Sequence, residues 1–248
     1  MREDNRIIQG FWMGKLSVME QLCMRSFLRH GHEFHLYTYY HIPEADIPAG
    51  VIVKDANEIE PEHRLADFSE IGGGFSDFFR FSLLAQRGGW WADMDMVCLK
   101  PLDFDQPYVY GGIHGVHIYK GRAGLLLNDC IIKAPMGAPI MFYCRDWYTC
   151  HDTKDLDWNT GPHLLQEAVA DFDQREYIEP VPVFGTVPCF NLPALVDPTF
   201  LWNLDEAYAL HLHHGFWNCG HESYGVRQMV DDAYPADCLY ERLKKEYL

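Results

Sequence analysis

The chain is short of positive charge. Lys and Arg number 20 against 36 Asp and Glu, a formal net charge of -16 over 248 residues. No basic run is longer than Lys244-Lys245. Nucleic acids and anionic membrane surfaces both call for a basic footprint, so neither is an expected partner. No apolar stretch reaches the roughly 18 residues that span a bilayer. Internal repeats, low-complexity tracts and linker-like segments are also missing. The eight cysteines form no C-x-x-C pair, and their scatter reads as buried or free thiols in a reducing compartment. The charged start, Met1 to Arg6, runs straight into a strand and does not look like a secretory signal. The expectation is a soluble cytoplasmic protein with a single domain over residues 1–248.

What is plentiful is core material. Hydrophobic residues make up 48% and aromatics 15%, enough for a chain of this length to fold without disulfide or metal staples. Arg6 to Trp12 reads as a strand ending in the turn Met13-Gly14. Ser17-Val18-Met19-Glu20 is a capping box opening a helix to about His30. Phe34 to Tyr40 and Val51 to Val53 read as further strands, so the chain begins β-α-β-β, the start of an α/β sheet. Gly72-Gly73-Gly74 reads as a loop, Ser76 as the cap of a three-turn helix, and Gly88-Gly89 as its end. Trp90 to Leu99 then reads as one strand, closed by Pro101. Tyr108 to Lys133 is expected as short strands broken by glycines, Met141 to Cys150 and Gly161 to Phe172 as helices, and 180–198 as a proline-rich loop. Tyr208 to Trp217 reads as a strand and Ala236 to Leu248 as a closing helix.

Chemistry concentrates at Trp90-Trp91-Ala92-Asp93-Met94-Asp95. Residues i and i+2 of a strand share a face about 6.5–7 Å apart. Two carboxylates held so repel by about 2–3 kcal/mol at an effective dielectric of ~20. A hard divalent cation such as Mg²⁺ or Mn²⁺ removes that cost; the alternative is a pair of acids solvated at the sheet rim. On the preceding helix, Asp77 and Arg80 are three apart. They read either as a surface ion pair or as a polar clamp beside the carboxylates.

The segment Phe75-Ser76-Asp77-Phe78-Phe79-Arg80, with Leu84, Gly88-Gly89-Trp90-Trp91-Ala92-Asp93-Met94-Asp95, resembles the signature S-D-x-x-R-x-x-x-L-x-x-x-G-G-x-[YW]-x-D-x-D of glycosyltransferase family 32. That group includes yeast outer-chain mannosyltransferases, α-1,4-galactosyltransferases and the glucosylating domains of clostridial toxins. Ile7 to Gly14 is similar to the family's opening strand. Ala209-Leu210-His211-Leu212-His213-His214-Gly215-Phe216-Trp217 is similar to its closing A-x-H-x-W-N-x-x-W, except that His213-His214 replaces W-N.

The resemblance implies a GT-A-like α/β fold with a mixed central sheet flanked by helices. It also implies a metal-dependent, retaining hexosyl transfer from a nucleoside-diphosphate sugar, UDP-linked in preference to GDP-mannose. The acceptor would be a glycan or lipid-linked glycan, as in polysaccharide biosynthesis. Asp95 would coordinate Mn²⁺ or Mg²⁺, and Asp93 would serve the ribose and a metal-bound water. His211 would be the third ligand, with His213 as fallback and His214 pointing away. Trp12 would stack on the base or else pack in the core, and Trp91 would lie near the ribose. Asp77 and Arg80 would bind the donor sugar and diphosphate side, and Asn128 would touch the sugar or simply form a turn. Trp217 would close over the diphosphate. Trp158-Asn159-Thr160-Gly161-Pro162 matches a helix start, with Pro162 at its first position. The competing readings are a metal-dependent hydrolase recruiting Asp152, Asp155 or Asp157, and a non-catalytic sugar-nucleotide-binding module.

Overall fold

A computed structural model describes residues 1–68, 74–154, 156–157, 159–217 and 230–248. Strand β1 (Ile7–Phe11) leads into helix α1 (Val18–Arg29), whose Ser17–Glu20 capping box is formed on both sides. β2 (Glu33–Thr38) and β3 (Val51–Asp55) then add outward from β1, all parallel. Helix α2 (Gly74–Arg87) carries the chain back across, and β4 (Gly89–Ala92) pairs with the free side of β1, again in parallel. Gly88 and Gly89 both take positive φ, 64° and 85°, in the sharp helix-to-strand turn, a conformation glycine adopts at little cost. After β4 the chain changes sheets. Among the described residues, β5 (Met96–Cys98) pairs with β9 (Ala209–His211) in a two-stranded sheet.

The hairpin β6 (Val109–Tyr119) and β7 (Arg122–Ala134) completes most of the main sheet, β7 running antiparallel to β4. With β8 (Ile178–Glu179) the order is β3-β2-β1-β4-β7-β6-β8. α1 covers one face, packing Cys23, Met24 and Phe27 on Phe34 and Trp90. α2, α3 (Pro139–Cys150) and α4 (Thr160–Asp171) cover the other with a phenylalanine-rich cluster. The short α5 (Val181–Phe184) follows β8, and α6 (Leu239–Tyr247) packs on the β5–β9 layer. No helix among the described residues is long and apolar enough to cross a membrane.

The mixed α/β architecture is the one expected, but several elements differ from expectation. α2 begins at Gly74, so Ser76 lies inside the helix and is not its cap; Gly72 and Gly73 lie outside the described residues. Trp90 to Leu99 is two strands in two sheets, because Asp93 N–H bonds the Cys130 carbonyl and Met96 N–H turns back to the Asp93 carbonyl. β6 and β7 are long, not short. Their glycines accommodate register shifts after Tyr110 and Ile113, and Gly112 lies where a Cβ would strike the Glu179 carbonyl. Residues 180–198 hold α5 and a 3₁₀ turn, Cys189–Leu195. The last strand stops at His211, since His213 adopts left-handed φ 55°.

β1 and β4 are neighbours, yet β2 and β3 intervene in sequence on the opposite side of β1. The connection therefore reverses direction at the carboxyl ends of β1 and β4, the switch point where open α/β sheets leave a crevice for ligands. The base of the fold is pinned by His32. Its Nδ1 lies 2.9 Å from the Asn5 carbonyl and its Nε2 accepts from Leu102 N–H at 3.0 Å. A ring that must accept at Nε2 cannot also carry a proton there, and burial pushes its pKa down to about 4. Below pH 6.5 the unfolded chain takes up a proton that the folded ring refuses, so stability falls as pH drops toward 4. His32→Gln should therefore abolish about 2 kcal/mol of the stability lost between pH 7 and pH 5, measured by urea unfolding at both pH values.

Candidate functional site

A cavity of about 730 Å³ opens at the switch point. Trp12 reaches it from the end of β1, Asp77 and Arg80 from α2, and Trp91 from β4. Asp93 and Asp95 come from the turn between sheets, Asn128 and Asp129 from β7, and His211, His213 and His214 from the end of β9. Every residue expected at the donor and metal site except Trp217 thus lines one space. The Trp217 indole is buried instead against Tyr240, ring centroids 5.0 Å apart, and its Nε1 donates to the Leu212 carbonyl. An indole so packed and satisfied belongs to the core, not to the cavity wall. Trp158 and Asp155 lie outside the described residues. Asp152 and Asp157 are exposed, accept local backbone N–H groups, and do not line the cavity.

Arg80 is the electrostatic centre. Only 4% exposed, it donates to Asp93 Oδ1 at 2.9 Å, lies 3.3 Å from Asp77 Oδ1 and pairs with Asp129 Oδ2. The expected i, i+3 pair is therefore real, but it is buried. Burial disfavours the guanidinium charge, yet Asp129, Asp93 and Asp77 together hold its pKa above the ordinary arginine value. Three acids against one cation leave surplus negative charge. Burial first, and Asp129 second, push the Asp77 carboxyl well above its ordinary value, and burial raises Asp93 to about 6. Trp91 contributes twice, donating Nε1–H to Asp93 Oδ1 at 2.7 Å and lying under the guanidinium at 5.2 Å. Gly161, at the second position of α4, lies so close that a Cβ there would sit 2.5 Å from Asp77 Cγ. The helix N-terminus consequently meets the buried carboxylates, which its dipole favours. Pro162 is the third helical residue, not the first; any first-turn position tolerates the missing N–H.

Asp93, Asp95 and His211 bring one donor atom each to within 4.8 Å of one another. The Asp95 oxygens divide their roles. Oδ2 accepts the His214 backbone N–H at 2.7 Å, while Oδ1, buried and without a hydrogen bond, faces His211 Nε2 at 3.3 Å. Burial alone would raise the Asp95 carboxyl, but the facing His211 and the His214 amide hold it below the usual carboxylate range. His211 answers with a pKa raised by Asp95 against the effect of burial. Two carboxylates and an imidazole, with buried donor atoms left over, fit a divalent cation by donor type. His213 is otherwise engaged: its Nε2 lies 2.9 Å from the Val187 carbonyl, and burial and His211 push its pKa down to about 3. The left-handed residue breaks strand alternation, so His214 faces the cavity, where its ring stacks on Trp12 at 5.7 Å and 22°.

The sequence reading gave Asp129 and Glu20 no part in the site, and His214, expected to point away, lines the cavity instead. The clue to Asp129 was its position beside Asn128, after three leucines on a strand. The register shift after Tyr110 makes β7 bulge over 129–131 against β6, and such a bulge re-aims side chains. Asn128 lines the cavity while its Oδ1 accepts the Cys130 N–H at 2.8 Å. Loading a cation on this triad requires Asp93 ionised and His211 neutral, so protons leave as the metal binds. Affinity should rise with pH: Mn²⁺ should bind at least about tenfold more tightly at pH 7.5 than at pH 5.5. Titrating free Mn²⁺ by electron paramagnetic resonance checks this, and a flat profile would exclude the triad.

Residues 52–113, from β3 through the D-x-D turn into β6, match the family model of the glycosyltransferase sugar-binding region containing the DXD motif. Comparison with curated protein sequences gives no match. Among solved structures, the chain is similar to the apo-form glycosyltransferase GlyE of Streptococcus pneumoniae TIGR4, with a TM-score of 0.53 and 13% identity. That match covers 98% of this chain and 60% of the other. A weaker likeness is to the PaToxG glycosyltransferase, with a TM-score of 0.47 and 12% identity over 67% of this chain and 69% of the other. Residues 52–113 are thus similar to a glycosyltransferase sugar-binding region containing the DXD motif, and the chain shares its fold with a solved glycosyltransferase.

Proposed function

We propose that the protein transfers a hexose, with retention, from a nucleoside-diphosphate sugar to a hydroxyl of a glycan or lipid-linked glycan. UDP is favoured over GDP as the carrier, and family 32 is the reading that goes with it. The observation that supports this best is the convergence on one cavity of an aromatic face, a three-donor cation site and a buried arginine–carboxylate clamp. The cytoplasmic setting belongs to the same proposal; all seven described cysteines are unpaired thiols.

Trp12 lies half-buried at the β1 end of the cavity, and its indole face takes the nucleobase. Asp95, His211 and Asp93 hold the cation, Mn²⁺ or Mg²⁺, which when bound neutralises charge building on the leaving diphosphate. Arg80 and Asp77, with Asn128, line the cavity for the hexose hydroxyls. The carboxylates among the described lining residues are Asp77, Asp93, Asp95 and Asp129, and each is already held by Arg80, Trp91, Tyr148, His211 or the His214 amide. None is free to serve as an unencumbered base. This suits a reaction in which the acceptor hydroxyl attacks from the face of the departing diphosphate and passes its proton to that group.

Asp95→Asn should abolish Mn²⁺-dependent sugar transfer from UDP-hexoses while thermal unfolding shows an intact fold. Full activity in this variant, or in excess chelator, would exclude the metal-dependent reading. Trp12→Ala should cost about 1–3 kcal/mol of nucleotide affinity, measured by calorimetry with UDP and Mn²⁺; an unchanged Kd would return Trp12 to a packing role. Release of free sugar at the same rate with and without acceptor would favour the hydrolase.

A further inference from the structure

Glu20 does more than a capping residue requires. In a capping box the glutamate needs one oxygen for the cap N–H and normally sits in solvent. Here its Oε2 accepts the Ser17 N–H at 2.6 Å, but the side chain is fully buried and Oε1 lies 2.5 Å from His214 Nδ1, a residue 194 positions away. A buried carboxylate is costly unless both oxygens find partners, and His214 supplies the second. His214 also has two other attachments: its backbone N–H holds Asp95 Oδ2, and its ring stacks on Trp12. The preceding residue, His213, is non-glycine in the left-handed region. Such a conformation persists only where the surroundings hold it, and here Glu20 on one side and the Val187 carbonyl on the other do so.

We propose that Glu20 is a positioning residue for the cation and nucleotide end of the cavity. Anchored by the first turn of α1, its carboxylate fixes the His214 turn, and through that turn aims Asp95 and supports the Trp12 face. The inference rests on the glycosyltransferase reading of the same cavity.

A double-mutant cycle read by metal affinity tests it. Mn²⁺ alone is titrated by electron paramagnetic resonance into wild type, Ser17→Ala, Glu20→Ala, His214→Ala and the Glu20→Ala/His214→Ala pair, and UDP is then added by calorimetry. Glu20→Ala and His214→Ala should each weaken Mn²⁺ binding about tenfold or more, the scale of an outer partner of a metal ligand. The pair should be no weaker than either single variant, because both remove the same link. Ser17→Ala, which disturbs only the cap, should lower the Tm yet bind Mn²⁺ as wild type does. Additive losses, or a Glu20→Ala affinity equal to that of Ser17→Ala, would reduce Glu20 to a helix cap and leave the transferase reading standing. A wild type that binds Mn²⁺ but no UDP would overturn the transferase reading while the metal titrations still decide the role of Glu20. A wild type that binds neither would remove both.

Discussion

One buried guanidinium organises this molecule. Arg80 sits on α2, yet its partners come from α2 itself, from the turn after β4 and from the bulge in β7. Taking that much charge out of water is expensive, and the expense is offset only where geometry supplies several hydrogen bonds at once. Arginine's planar fork offers five donors and keeps its charge on burial, whereas a buried lysine more readily gives up its proton. The clamp therefore ties α2 to the turn after β4 and the bulge in β7, two segments already joined by the Asp93 N–H bond to the Cys130 carbonyl. The absence of a side chain at Gly161 lets a fourth, α4, close against it.

The arrangement also resolves an apparent conflict between net charge and ligand. An acidic protein with an acid-lined cavity would repel a diphosphate. The acids divide into two groups, however. Asp77 and Asp129 face Arg80, with burial and the neighbouring Asp129 disfavouring the Asp77 charge, whereas Asp95 keeps an oxygen facing His211. The first group builds a polar wall with little free charge, and the second is suited to a cation that would itself attract the anion. On the proposed reading, negative potential in the cavity would serve a metal before it meets a nucleotide.

Local chemistry made much of this legible in the sequence. The capping box at Ser17, the glycine pair after α2 and the spacing from Asp77 to Asp95 were readable because each depends on residues close in the chain. What was not readable depends on distant partners. Asp93-Met94-Asp95-Met96-Val97 reads like a strand, but Asp93 bends it into a turn: its N–H bonds the Cys130 carbonyl, 37 residues on, and its carbonyl accepts the Met96 N–H. His213 carries no glycine or asparagine to signal its left-handed backbone; the Val187 carbonyl and the His214 turn impose it. Asp129 reads as a neighbour of Asn128 until the bulge in β7 turns it toward Arg80. Trp217 shows the converse. A tryptophan near the end of a matched motif suggested a ligand contact, but a fully satisfied indole with aromatic neighbours had a place in the core.

The turn after β4 is also where the chain crosses from the seven-stranded sheet to the β5–β9 pair. Asp93 and Asp95 belong to that crossing, and His211 and the His214 amide belong to the far sheet. Docking of the C-terminal layer and completion of the donor set are consequently one event: if β9 peels away, the triad loses a member and Asp95 loses its orientation together. Fraying at this end of the chain would be felt first as lost chemistry, well before the larger sheet noticed it.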